Sequence, residues 1–69
     1  PAKEFVNIKL PETDTYLIKL IDETGRLVFN EVIDNNFVNI KLSSFISGNY
    51  VISITDNDAN ISNYKLVIE

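Results

Sequence analysis

Cysteine and histidine are absent from this 69-residue chain, as are methionine and tryptophan. Without cysteine there is no disulfide and no thiolate zinc site to brace a small domain, and nothing marks the redox compartment. Without histidine or cysteine, the usual general base and thiol nucleophile are missing as well. Ser43, Ser44, Ser47, Ser53 and Ser62 have no recognisable activating partner. Carboxylate pairs at Asp22-Glu23 or Glu12/Asp14 would be the remaining route to glycoside chemistry. Those pairs fall in short polar turns, and so short a chain leaves little room for a cleft. A non-catalytic protein is expected, with no cofactor.

Glycine and proline are scarce, at two residues each, while Ile, Val, Thr, Tyr and Phe abound. That balance favours strands over helices. Net charge is −4, and the basic residues Lys3, Lys9, Lys19, Arg26, Lys41 and Lys65 are scattered. No basic patch forms, which argues against nucleic acid and anionic membranes as partners. No apolar run approaches the ~18 residues of a membrane span, so membrane insertion is not expected. Apolar residues make up 45% of the chain, enough for one small core in a single domain over residues 1–69. The chain starts at Pro1 with no leader pattern, which reads as a piece of a longer protein.

Alternation of apolar and polar residues predicts six short strands. Residues 5–10 place Val6, Ile8 and Leu10 on one face, before a polar turn over residues 11–15. Residues 16–22 place Tyr16, Ile18 and Leu20 inward and lead into a tight turn, Glu23-Thr24-Gly25. Residues 26–33 return with Val28 and Val32 inward, and Leu27, Phe29 and Glu31 on the other face. Asp34-Asn35-Asn36 reads as the next turn, and Val38, Ile40 and Leu42 as the next inward row. Residues 50–54 and 61–68 complete the set, the last with Tyr64, Leu66 and Ile68 on one face. No helical stripe persists over three turns, and no internal repeat stands out.

The run Asp56-Asn57-Asp58-Ala59-Asn60 matches ligand positions of a helix–loop–helix calcium loop. However, Ile61 stands where that loop needs glycine, and Val67 where it needs a bidentate glutamate. A polar hairpin turn is expected there, and no metal site. Residues 42–54 look like the organising stretch of the chain. Leu42 and Phe45 flank two serines, Gly48 lies two residues before Tyr50, and Tyr50, Ile52 and Ile54 alternate. The pattern predicts a corner, with the Tyr50 ring inside and its hydroxyl bonding back to the corner. Immunoglobulin-like sandwiches place a tyrosine similarly. An ordinary hairpin with a tyrosine in its second strand would use the same residues. The expected fold is all-β: a small immunoglobulin-like antiparallel sandwich of six to seven short strands.

Four segments carry a family resemblance. Pro1-Ala2 with Val6-Asn7-Ile8-Lys9-Leu10 resembles the opening of the C-terminal sorting domains of type IX secretion cargo in Bacteroidetes. Leu20-Ile21-Asp22-Glu23-Thr24-Gly25-Arg26-Leu27-Val28 is similar to that family's aspartate–glycine hairpin, and residues 42–54 to its Gly-x-Tyr block. Lys65-Leu66-Val67-Ile68 resembles its closing segment. The family more often has Leu-Pro where Phe45-Ile46 stand, and a basic tail where Glu69 stands.

The resemblance implies a C-terminal domain of an exported protein, passing through the periplasm to the cell surface or the medium. The implied partners are an N-terminal cargo domain, the outer-membrane type IX machinery and its sortase-like protease. Recognition would rest on Asp22, Gly25 and Arg26 at a hairpin tip, Gly48 and Tyr50 at the corner, and Lys65, Leu66, Val67 and Ile68 in the last strand. Each has a structural role to set beside that one. The glycines serve turns, Tyr50 serves the core, Asp22 bonds turn N–H groups, and the cations are solvated strand charges. Exposed edges would admit an edge-strand homodimer. A binding, adhesion or spacer module is the competing reading, and it would gain if Phe5, Phe29 and Phe37 met on the surface.

Overall fold

The computed structural model describes residues 4–69, and the expectations placed on Pro1, Ala2 and Lys3 lie outside the described residues. Among them the chain is all-β, with four strands: β1 (Phe5–Asp22), β2 (Leu27–Lys41), β3 (Gly48–Thr55) and β4 (Ile61–Ile68). They form one antiparallel sheet in the order β2-β1-β3-β4. The six short strands expected are thus four longer ones, because residues 11–15 and 34–36 run inside strands instead of reversing the chain.

The ladder is nevertheless broken there. Lys9 pairs with Phe37 and Asp14 with Asn35, so four residues of β1 face only Asn36. Pro11 belongs in this gap, where no ladder donor is needed. Straight, the 18 residues of β1 would span about 59 Å at a rise of about 3.3 Å each. The longest dimension of the molecule is 31 Å, so the strand must bend sharply at the break. The bend is pinned by the Tyr16 hydroxyl donating to Glu12 O (2.8 Å) and the Thr15 hydroxyl donating to Asp34 Oδ1 (2.6 Å).

Bending lets the sheet cover its own apolar face. Ile18 and Leu20 are fully buried in one cluster with Val38, Ile40, Leu42, Tyr50, Ile52 and Ile54. Val6, Ile8 and Leu10, which pair with the Val38 segment, pack against the same cluster. Residues 5–10 and 37–41 therefore form the lid over the β1–β3 centre.

One inward row differs from expectation. Leu20 pairs with Phe29, yet Ile21 pairs with Leu27, which leaves Val28 as a bulge. A one-residue slip moves every following side chain to the opposite face. Val28 packs on the core as expected, but beyond the slip Phe29 and Ile33 take the inward places and Val32 is 63% exposed.

The structure also reveals an internal repeat. Val6-Asn7-Ile8-Lys9-Leu10 recurs as Val38-Asn39-Ile40-Lys41-Leu42, and Tyr16…Asp22…Gly25 recurs as Tyr50…Asp56…Ala59. The pairings obey a pseudo-two-fold. Val6 pairs with Ile40 and Ile8 with Val38 about an Asn7–Asn39 pair, whose side chains are hydrogen-bonded. Ile18 pairs with Ile54 and Leu20 with Ile52 about Lys19–Ser53. The half-repeats are joined by five residues (11–15) in one copy and seven (43–49) in the other, so no single offset aligns both parts.

Candidate functional site

Asp22 builds the first hairpin tip. Its Oδ1 accepts from Thr24 N (3.0 Å), the Thr24 hydroxyl (2.6 Å) and Arg26 N (3.0 Å), while Oδ2 lies 3.3 Å from Arg26 Nε. Asp22 N donates to Arg26 O, and Gly25 N to Asp22 O. The chain turns through Gly25 at φ 87°, a region open to glycine. The Thr24 hydroxyl, then the Arg26 N–H, hold the Asp22 carboxyl below its usual range.

The second tip repeats this construction. Asp56 Oδ1 accepts from Asp58 N and Asn60 N (2.9 Å each), and Oδ2 accepts from Asn60 Nδ2 at 3.1 Å. The Asn60 N–H first, then its side chain, lowers the Asp56 carboxyl. This is a hairpin turn in which both carboxylate oxygens are engaged by the loop itself. Among the described residues no acidic group of three or more converges to hold a metal.

Two predictions follow from these turns. Ala59 occupies the place of Gly25 at φ 65°, where a Cβ costs roughly 1–2 kcal/mol. Allowing for glycine's larger unfolded-state entropy, Ala59→Gly is expected to stabilise by about 0.5–1 kcal/mol, read as a higher urea midpoint at constant slope. The two lowered aspartates give the pH dependence. Their stabilisation is fully present above the unfolded carboxylate pKa of about 3.9 and is lost as pH falls through the depressed folded values. Urea midpoints measured from pH 6 down to 2 should therefore fall in acid. The Asp22→Asn/Asp56→Asn double variant should show a flatter profile.

The corner forms as expected. The Tyr50 hydroxyl donates to Ile46 O at 2.6 Å, and Phe45 N donates to Leu42 O. Phe45 stands edge-on to both Phe29 and Tyr50, with ring centroids 6.3 and 6.2 Å apart. Gly48 is nearly extended at φ 158°, and a Cβ there would meet Glu23 Oε1 at 3.0 Å.

Strand order then brings the expected residues together. Asp22 pairs with Tyr50, Tyr50 with Leu66, and Gly48 with Ile68, so tip, corner and last strand meet at one end of the molecule. A cleft of about 470 Å³ lies between tip and corner, lined by Asp22, Thr24, Arg26, Ser44, Phe45 and Tyr50. A smaller hollow of about 220 Å³ joins Glu23, Asn49 and Tyr50 to Lys65, Leu66 and Val67. Gly25 lines neither hollow, and nothing lies within 4 Å of a Cβ added there. Glu23, Phe45 and Asn49 are additions to the expected set; Glu23 in the turn and Phe45 at the corner were visible locally, but their meeting depends on strand order.

The pseudo-two-fold supplies a second cleft, of about 340 Å³, where the Asp56 tip meets the Tyr16 bend. It carries Glu12, Asp14, Asp56 and Asp58 with Asn60 in place of Arg26. Burial first, then the Asp14 and Glu12 carboxylates, push the Tyr16 hydroxyl above the usual phenol range. The two ends therefore differ in charge despite their common construction. Phe5 and Phe37 lie exposed at opposite ends of the lid, while Phe29 packs on Phe45. The three do not form one patch, and the binding-module reading gains nothing from them.

A self-covering all-β domain with paired aspartate hairpins and tyrosine corners is the class of molecule this geometry defines. The family model for the secretion system C-terminal sorting domain matches residues 1–69, and the chain belongs to that family. The chain matches no curated protein and no solved structure. Membership makes it a C-terminal sorting signal of type IX secretion, which implies export and contact with that machinery. Domains of this kind are typically non-catalytic.

Proposed function

We propose that this domain carries an N-terminally attached cargo protein across the outer membrane of a Bacteroidetes cell through the type IX translocon. Transit is through the periplasm, delivery is to the cell surface or medium, and a sortase-like protease is the second partner. The lid and the main sheet act as the two layers of an immunoglobulin-like sandwich, stable enough to serve many cargoes alike. Docking uses the end where Asp22, Gly25, Arg26, Gly48 and Tyr50 meet Lys65, Leu66, Val67 and Ile68. The observation that carries this assignment is their convergence through the pairs Asp22–Tyr50, Tyr50–Leu66 and Gly48–Ile68. Within that end, Gly25, Gly48 and Tyr50 hold the shape, while Arg26 and Lys65 offer charge to a partner.

A transplant tests the proposal. Residues 1–69 are fused behind a signal peptide and a fluorescent reporter, in a type IX-competent strain and in one lacking the translocon. Reporter is expected outside the competent strain alone. Arg26→Ala with Lys65→Ala should cut export several-fold while shifting stability by less than about 0.5 kcal/mol, as exposed substitutions do. Reporter held in the periplasm of both strains, with the domain folded, would overturn the proposal.

A further inference from the structure

The pseudo-two-fold makes β2 and β4 equivalent edges of the sheet, but they are not equally protected. The β2 edge carries the Val28 bulge, Glu31 and Asp34, devices that discourage pairing with another chain. β4 has an unbroken register with β3 and a single charge, Lys65. Ile61, Tyr64 and Val67 on it are 64, 57 and 45% exposed.

The direction of each free backbone group follows from the hairpin. Asp56 N donates to Asn60 O, so that pair opens the β3–β4 ladder as a hydrogen-bonded one. Antiparallel pairs alternate between bonded and non-bonded. Ser62, Tyr64, Leu66 and Ile68 therefore bond to β3, and Ile61, Asn63, Lys65 and Val67 turn their N–H and C=O outward. The first tip agrees: Asp22 N bonds to Arg26 O, as the same alternation carried across β3 and β1 requires.

We infer that two copies of this chain pair antiparallel through β4, with Tyr64 against Tyr64 on the two-fold axis. In that register Ile61 faces Val67 and Asn63 faces Lys65 of the second copy, and all four are bonded pairs. Every outward backbone group of the strand is satisfied, aliphatic meets aliphatic, and the lysine meets an asparagine. A slip of two residues one way sets Lys65 against Lys65. The opposite slip sets Val67 against Ala59 in the turn. The contact is small and belongs with weak, reversible associations. It covers the edge of the strand proposed above for docking, but the pairing itself does not depend on the sorting role.

Sedimentation of the intact chain over a concentration series is expected to show mass rising from 7.8 kDa toward twice that value. Asn63→Pro removes one outward N–H and no bond to β3. It should remain monomeric while keeping its circular dichroism. The chain's lack of cysteine makes cross-linking clean. Tyr64→Cys places two thiols across a non-bonded pair, with Cα atoms about 4.5 Å apart, and should oxidise to a disulfide dimer. Ile61→Cys places them roughly 20 Å apart and should not. A mass that stays at 7.8 kDa, a dimer unaffected by Asn63→Pro, or equal cross-linking at both positions would overturn the pairing.

Discussion

Leu20→Ala is expected to leave the domain largely unfolded at 37 °C. Leu20 is fully buried at the centre of the sheet, between Phe29 on β2 and Ile52 on β3. Truncating a buried leucine costs roughly 2–5 kcal/mol, the higher values arising where the surroundings cannot collapse into the space. Collapse is hindered here because the neighbours belong to hydrogen-bonded strands on both sides and to the lid above. A domain of this size holds about 3–10 kcal/mol in total, at roughly 0.05–0.15 kcal/mol per residue. One methylene cluster is thus a large share of the whole. Ile54→Ala, the symmetry mate and likewise buried, should behave alike. Leu27→Ala, on the exposed outer face, should cost less than about 0.5 kcal/mol. Urea titrations of the three variants at 25 °C check the ranking, and a Leu20→Ala midpoint close to the parent's would refute it.

What could be read from the sequence was local. The Asp22 turn and the Tyr50–Ile46 bond each join groups four residues apart or fewer, and short-range rules about aspartate, glycine and tyrosine suffice for them. The inward rows of β1, β3 and β4 were legible for the same reason, since period two needs only neighbours. The face of β2 was not. Without the bulge, Val32 would face inward with Val28 as their alternation suggests; with it, Val28 keeps its place on the core and Val32 is turned out. The ring of Phe29 finds Phe45 across the corner, a contact between residues distant in sequence, and the register follows it. Strand number failed at Pro11 and Asn35, where a break in the ladder looks the same in sequence as a reversal. The repeat was hidden by its unequal connectors. The site's residues were individually visible, but their meeting depends on β1 lying beside β3, which no short motif states.

Tyr50 is where fold and proposed recognition coincide, and two substitutions separate them. Its ring is buried against Phe45, and its hydroxyl closes the corner on Ile46 O. Tyr50→Ala empties that space and frees the corner, at roughly 3–5 kcal/mol for loss of a buried aromatic. The domain should then unfold at 37 °C, and export of a fused reporter should fall to background. Tyr50→Phe keeps the ring and removes one hydrogen bond, leaving Ile46 O to find water at the exposed corner, for about 1 kcal/mol. The Phe variant should fold with a modestly lower urea midpoint and export close to the parent level, because the hydroxyl points into the corner and away from any partner. Thermal unfolding and reporter export measured on the same pair of variants decide the matter. Parent-like export from Tyr50→Phe assigns Tyr50 to shape alone and leaves the charges of Arg26 and Lys65 to carry docking. A folded Tyr50→Phe domain that fails to export would make the hydroxyl part of the signal. It would then have to leave Ile46 when the translocon binds.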